Sequence, residues 1–387
     1  MEYYFVKNEE IRIGEKTMIL MDIRADNLYS FKNFHLNMSY PKKIVDSSVE
    51  EEHLQGYPNF RYKKVNIIMG GNATGKTSLG KMMMLFANYL RDGSINRFLS
   101  VIDEKGLAAR LTIDFVADPI SLYRFEIVIP AFFVDEPEGK RIESRIRYTK
   151  IGLRDNYETC AERLDLQECP VIDCQEIDAL GWYFSYPQDA WKNKTYYSLE
   201  GDDRYLHILE RILKSLDPSI REVIRLPELD NTYAIKLKNH SVVIKDGKIN
   251  DTDILSSGTK AGLDISYVMA SLVCGLHMLY YCDELFSYVN SDVEKACLSI
   301  MIDKLTEKRE NKQLFFTTHN TEILDMQLPK HAFTFLRKTV EDEREPIKCI
   351  CAAEYLKRNT DSLKHAVEND LFAISPRLDM LYEIAAF

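Results

Sequence analysis

Residues 65–79 read VNIIMGGNATGKTSL, and the rest of the chain is interpreted outward from them. The first five residues are a short apolar run of strand type. Behind the stretch, Leu79, Met82, Met83, Leu85, Phe86, Tyr89 and Leu90 recur at helical spacing. Between strand and helix, Gly70, Gly75, Lys76 and Thr77 fit the pattern G-x-x-x-x-G-K-[ST]. Glycine lets backbone N–H groups close around phosphate oxygens with no Cβ in the way. A helix opening at Thr77 turns its positive end toward an anion. Residues Gly70, Gly71, Asn72, Ala73, Thr74, Gly75, Lys76, Thr77 and Ser78 are therefore expected to cradle the phosphates of a nucleoside triphosphate. Lys76 would reach the β- and γ-phosphates, and the Thr77 hydroxyl would ligate Mg²⁺. A chance match in a glycine-bearing turn would lack the strand before it and the helix after it.

Three later stretches answer to this one. Residues 255–260, LSSGTK, form a turn of small residues before an apolar helical pattern. Hydroxyls and a glycine at a helix start make a set of anion donors, and by themselves only a helix cap. Residues 275–284, GLHMLYYCDE, are an apolar strand ending in adjacent carboxylates. Asp283 would hold Mg²⁺, and Glu284 would polarise the attacking water. Residues 314–319, LFFTTH, are a third apolar strand, ending in two threonines and a histidine. A histidine at that strand end can hydrogen-bond a γ-phosphate oxygen.

Elsewhere the periodicity changes. Residues 17–34 read as an edge hairpin, with strand resuming over 35–40, and residues 40–62 as an inserted polar loop. From Ala109, alternating apolar residues such as Leu111, Ile113 and Phe115, then Tyr123, Phe125, Ile127 and Ile129, predict an antiparallel meander. Its turns fall at 118–119 and 135–139. Residues 156–178 are polar and hard to place. Residues 181–186, GWYFSY, form an aromatic strand, and residues 204–216 an amphipathic helix; strands return over 233–249. The tail offers strands at 332–336 and 347–351 and helices over 354–369 and 378–384. No long heptad segment interrupts the chain.

Composition bounds the rest. At 387 residues, 45% hydrophobic and 28% charged, the chain suits a soluble protein of more than one core. No apolar run approaches membrane-span length and the first residues lack a signal-peptide pattern, so a cytoplasmic protein is expected. A net charge of −10 argues against a broad nucleic-acid surface, though a local basic patch stays possible. The eight cysteines show no disulfide framework or zinc-ligand spacing. The close pairs Cys169/Cys174 and Cys349/Cys351 read as buried free thiols.

Taken together, GGNATGKT, LSSGT, the strand-end DE and TTH resemble, in content and order, the ABC-type ATPases of the RecF/SMC-like branch. The phrases LKSLDPSI, LSSGTK and QLFFTTHNTEILD resemble a subgroup of small prokaryotic AAA-labelled ATPases of the overcoming-lysogenisation-defect type, found in anti-phage defence and toxin–antitoxin systems. The resemblance implies an α/β, two-lobed phosphate-loop ATPase with an antiparallel β-subdomain and a helical lobe. The ATPase domain would span 17–337, divided at 17–150, 151–250 and 251–337, with a C-terminal extension over 338–387. It implies ATP and Mg²⁺, and nucleotide sites shared by head-to-tail copies. Lys76, Thr77, Asp283, Glu284 and His319 would come from one copy, and Ser256, Ser257 and Gly258 from the other. It implies a dimer or higher assembly that controls a separately encoded effector such as a nuclease. A Mg²⁺-sensing glutamine is expected after the β-lobe; Gln188 is the candidate and Gln175 competes. The sequence departs from the family at Ser257 and Thr259, where glycine and glutamine are common. It departs again at Leu285 and at Val289 and Asn290, where a proline and later a histidine or aspartate are usual. A DNA-repair ATPase and an ATP-gated scaffold with little turnover are the rival readings.

Overall fold

The computed structural model describes residues 17–40, 47–131, 142–177, 181–186, 203–249, 255–307, 310–338, 346–358, 361–372 and 382–384. In chain order the strands are β1 (Met18–Asp26), β2 (Phe34–Asn37), β3 (His53–Leu54), β4 (Tyr57–Arg61), β5 (Val65–Met69), β6 (Ala109–Ala117), β7 (Ser121–Ile129), β8 (Glu143–Lys150), β9 (Val171–Ile172), β10 (Trp182–Ser185), β11 (Ile220–Arg225), β12 (Thr232–Leu237), β13 (Ser241–Lys245), β14 (Lys248–Ile249), β15 (Leu279–Asp283), β16 (Gln313–Thr318), β17 (Phe333–Lys338) and β18 (Ile347–Cys351). The helices are α1 (Lys76–Asp92), α2 (Asn96–Leu99), α3 (Tyr157–Leu166), α4 (Asp203–Leu216), α5 (Ser257–Cys274), α6 (Ser291–Thr306), α7 (Ala352–Tyr355) and α8 (Leu363–Glu368).

The apolar runs that bracket the motifs become one sheet, in the order β10-β15-β16-β5-β17-β18. Its first five strands are parallel and β18 returns antiparallel. Parallel strands covered on both faces are near-continuously apolar, which is why these segments read as apolar runs with few breaks, such as the buried Asn66 and Gln313. Alternation then sorts their side chains between two cores. Ile68, Tyr281, Phe315 and Leu336 join Leu79, Met82, Met83 and Phe86 of α1 in one core. Ile67, Tyr280, Cys282, Phe316 and Phe335 pack on the other face with Ala261, Ile265 and Val268 of α5 and Leu298 and Met301 of α6. Helix α1 ends at Gly93, whose φ of 67° is left-handed and whose N–H reaches the Tyr89 carbonyl at 2.7 Å.

The second sheet lies across α1, in the order β2-β1-β6-β7-β8-β9. The meander is present, with β6 and β7 paired from Ala109↔Ile129 to Ala117↔Ser121 and β8 following. The 135–139 turn lies outside the described residues. The 17–34 hairpin forms, but β2 is the edge and β1 lies inside, between β2 and β6. Both faces of β1 are buried, Leu20 and Ile23 toward α1 and Ile19 and Met21 toward α3. A register shift between Leu20 and Asp22 marks an irregularity in β1. The buried Gln313 amide reaches across to it, accepting from Leu20 N at 3.0 Å and donating to Leu20 O at 3.1 Å. One side-chain amide thus joins the two sheets as a strand neighbour would.

Residues 40–62, expected to be a loop, contain the β3–β4 hairpin, held by buried Leu54, Phe60 and Tyr62. The polar stretch after 156 contains α3. Asn156 caps it by accepting from Thr159 N at 2.9 Å, and Tyr157, Cys160, Ala161 and Leu164 make a buried stripe at helical spacing. The charged opposite face hid that stripe. Beyond it, α4, α5 and the antiparallel sheet β11-β12-β13-β14 share a third core that includes Leu209, Leu213, Val223, Tyr233, Ile235, Leu263 and Tyr267. In the tail, the single helix expected over 354–369 is two short ones, because Ser362 starts α8 afresh as a cap on His365 N. Of the helix expected over 378–384, only 382–384 lie among the described residues. No helix among the described residues is long and apolar enough to cross a membrane.

Candidate functional site

Strand register alone brings three motifs to one edge. Met69 of β5 pairs with Thr318 of β16, and Thr317 pairs with Asp283 of β15. The residues that follow, Gly70, His319 and Glu284, therefore leave adjacent strand ends on the carboxyl side of a parallel sheet, where ligands of open α/β sheets bind.

Within the phosphate loop, Gly75 at φ 94° and Ala73 at φ 59° turn the backbone through the left-handed region. Gly70 has no room for a Cβ, which would stand 2.6 Å from the Leu336 carbonyl and 2.7 Å from Thr74 Oγ1. Thr74 Oγ1 donates to Gly71 O at 2.9 Å, while Asn72 and Ala73 form an exposed crown. Gly71 and Ser78 are half-buried. The Lys76 side chain, 5% exposed, folds over this loop and donates to Gly70 O at 2.9 Å and Gly71 O at 3.1 Å. Burial lowers its pKa, against the pull of Glu284 and Asp283.

The carboxylates lie directly beside it. Thr77 Oγ1 donates to Asp283 Oδ2 at 2.6 Å, and Thr317 Oγ1 donates to Asp283 Oδ1 at 2.8 Å. Burial raises the Asp283 pKa, and those two hydroxyls pull it back. Glu284 has a left-handed φ of 49°, a conformation non-glycine residues adopt rarely and often at sites. Its N–H donates to Thr317 Oγ1 at 2.9 Å. Its Oε1 lies 3.5 Å from Lys76 Nζ and also meets His319 Nε2. The Thr77 hydroxyl and the Asp283 carboxylate are hard oxygen donors held together. That suits Mg²⁺, which takes one or two protein oxygens and completes its shell from phosphate and water. Among the described residues no group of three or more His, Cys, Asp or Glu gathers into a metal cage, and none of the eight cysteines is in a disulfide.

Ser256 caps α5, its Oγ accepting from Thr259 N at 3.1 Å and pairing with Thr259 Oγ1 at 2.8 Å. A Cβ on Gly258 would lie 3.2 Å from the Tyr288 carbonyl. Among the described residues no hydrogen bond links Ser256, Ser257 or Gly258 to the phosphate loop of the same chain. Gln188 lies outside the described residues; the strand leading to it, β10, ends at Ser185 opposite Cys282. Gln175 sits in a short 3-10 turn, its N–H donating to the Asp173 side chain.

Two residues of the site were given no role by the sequence. Thr317 ties Asp283 to the Glu284 backbone, and Tyr281 donates from its hydroxyl to the Lys76 carbonyl at 2.5 Å. The Tyr281 ring lies against Gly80, where any side chain would collide with it. The doubled threonine in LFFTTH was the available signal for the first. The second had none, because a buried tyrosine in an apolar strand reads as core.

No family model matches this sequence, and no curated protein matches it. Among solved structures it is similar to an SMC head bound to the C-winged helix domain of ScpA, with TM-score 0.50 and 14% identity over 87% of this chain and 100% of that one. Two further matches are an SMC head domain from Thermotoga maritima (TM-score 0.44, 12% identity, 86% of this chain and 98% of that one) and an Smc head with an extended coiled coil bound to the C-terminal domain of ScpA, derived from Pyrococcus furiosus (TM-score 0.47, 12% identity, 88% and 98%). The chain therefore has the α/β fold of an SMC head, with an antiparallel β-subdomain.

Proposed function

We propose that this chain is a Mg²⁺-dependent ATPase whose nucleotide sites form between two head-to-tail copies. The observation that carries the reading is the convergence of Lys76, Thr77, Asp283, Glu284 and His319 at adjacent strand ends. Thr77 and Asp283 would hold Mg²⁺, which when bound offsets phosphate charge. Lys76 would exchange its loop carbonyls for phosphate oxygens, a stronger, charge-assisted contact. Glu284 Oε would take the proton of the attacking water as general base. His319 would donate to the γ-phosphate and hold Glu284 in line.

A second copy would place the Ser256, Ser257 and Gly258 donors over the γ-phosphate. Closing the site this way would exclude water and strengthen each contact. Complementation tests the sharing. Lys76→Ala and Ser256→Arg should each be inactive as pure assemblies. Mixed, they leave one intact site per mixed pair, so phosphate release should return. Mixtures that stay inactive would show that each chain builds its own site.

In the cell, the reading is a sensor ATPase of an anti-phage defence or toxin–antitoxin system controlling a separately encoded effector such as a nuclease. Its support is the sequence resemblance of LKSLDPSI, LSSGTK and QLFFTTHNTEILD. Co-purification of the neighbouring gene's product with the ATP-bound assembly, and not with the nucleotide-free protein, tests it.

A further inference from the structure

Helix α6 starts seven residues after Glu284, and its first turn carries a carboxylate that the reading above leaves without a role. Glu294 is 4% exposed. Its Oε1 accepts from Thr318 Oγ1 at 2.8 Å, and its Oε2 accepts from Asn320 Nδ2 at 2.7 Å. Those two residues flank His319. Thr318 Oγ1 in turn accepts from Asn320 N at 3.0 Å, which closes the turn around the histidine. Asn320 Oδ1 is committed elsewhere, accepting from Glu322 N at 2.9 Å as the cap of a 3-10 turn. The amide can therefore face Glu294 only with its NH₂, and both partners donate.

Only a group that accepts at both ends satisfies that arrangement. A carboxylate buried there must overcome a desolvation cost, seen as an upward shift of its pKa. Accepting from Thr318 and Asn320 spares both donors an unsatisfied burial, which is a contribution to stability. The geometry points to a further role. We propose that Glu294 is a positioning residue: by gripping Thr318 and Asn320 it fixes the backbone of His319, so that the half-exposed imidazole is held against Glu284. Helix α6 thereby ties the segment after the strand-end carboxylates to the histidine tip.

This rests on the proposed hydrolytic site, and the test separates the two. Phosphate release and ATP binding are measured for Glu294→Gln, His319→Ala and the double variant, well below the melting temperature. A glutamine in place of Glu294 can accept at one end only, so His319 loosens. The expected result is a kcat reduced about tenfold or more with ATP affinity within about twofold of wild type, a cost that vanishes in the His319→Ala background because coupled residues are non-additive. Asn320→Asp, combined with Glu294→Gln, reverses the direction of the lost bond while keeping the cap, and should restore most of kcat. Should Glu294→Gln not fold, Thr318→Val removes one of the two grips and enters the same cycle. An equal loss in wild-type and His319→Ala backgrounds, or a kcat within twofold of wild type, overturns the positioning role alone. Unchanged turnover in His319→Ala overturns the hydrolytic reading of His319 and this inference with it.

Discussion

Replacing Glu284 by glutamine should separate binding from chemistry, and the structure sets the size of the effect on binding. Glu284 Oε1 lies 3.5 Å from Lys76 Nζ. At an effective dielectric near 20 that pair has a gross attraction of about 5 kcal/mol, an upper bound before desolvation is counted. On the proposed reading, the attraction would compete with the triphosphate for the same ammonium. Recovering only about 1 kcal/mol of it on substitution would tighten ATP binding roughly fivefold. The amide keeps the shape but cannot take a proton from water, so turnover should fall by about 10²- to 10⁴-fold. The variant should therefore hold ATP, accumulate as the assembled form and release almost no phosphate. Single-turnover phosphate release, titration with Mg–ATP and sedimentation velocity on one preparation read all three quantities. Turnover within about threefold of wild type would remove Glu284 from its role. Weaker ATP binding by a folded variant would refute the competition argument.

Lys76→Ala removes the cation and its contacts to phosphate, each worth about 1.5–3 kcal/mol; ATP affinity should fall by about two orders of magnitude, read by calorimetric titration. Asp283→Asn should abolish Mg²⁺-dependent turnover yet leave the nucleotide-free protein at least as heat-stable at pH 8. Burial raises the folded pKa of Asp283, so its favourable contribution is complete below the ordinary carboxylate pKa and is lost as pH rises through the raised value. The stability gap in thermal melts should close toward pH 4. Gly80→Ala should destabilise by about 1–3 kcal/mol in urea denaturation, because the methyl meets the buried Tyr281 ring. Helix propensity alone predicts a gain of up to about 1 kcal/mol, so the sign of the result decides.

The parallel sheet was legible because strands buried on both faces leave largely apolar runs, and Val65–Met69, broken by Asn66, and residues 279–282 are such runs. That the phosphate loop, Glu284 and His319 would meet at one sheet edge was legible for a related reason: each follows directly on a largely apolar strand, and Asp283 ends one. Helix α3 was not, because its stripe of Tyr157, Cys160, Ala161 and Leu164 is diluted by charged neighbours. The interior place of β1 was also hidden. Local alternation shows that a face is apolar but not which strand pairs beyond it, and Gln313, which anchors β1, lies 293 residues from Leu20. Thr317 and Tyr281 act through neighbours brought near only by the fold, and Glu294 lies in a helix whose pattern gives no hint of the turn it grips.

A crystal structure with Mg²⁺ and a non-hydrolysable ATP analogue measures the central claim most directly. The account predicts one triphosphate over the Gly70–Thr77 loop, the metal on Thr77 and Asp283, and the terminal phosphate facing Glu284 and His319. A nucleotide bound elsewhere, or a loop without nucleotide at millimolar analogue, would contradict it.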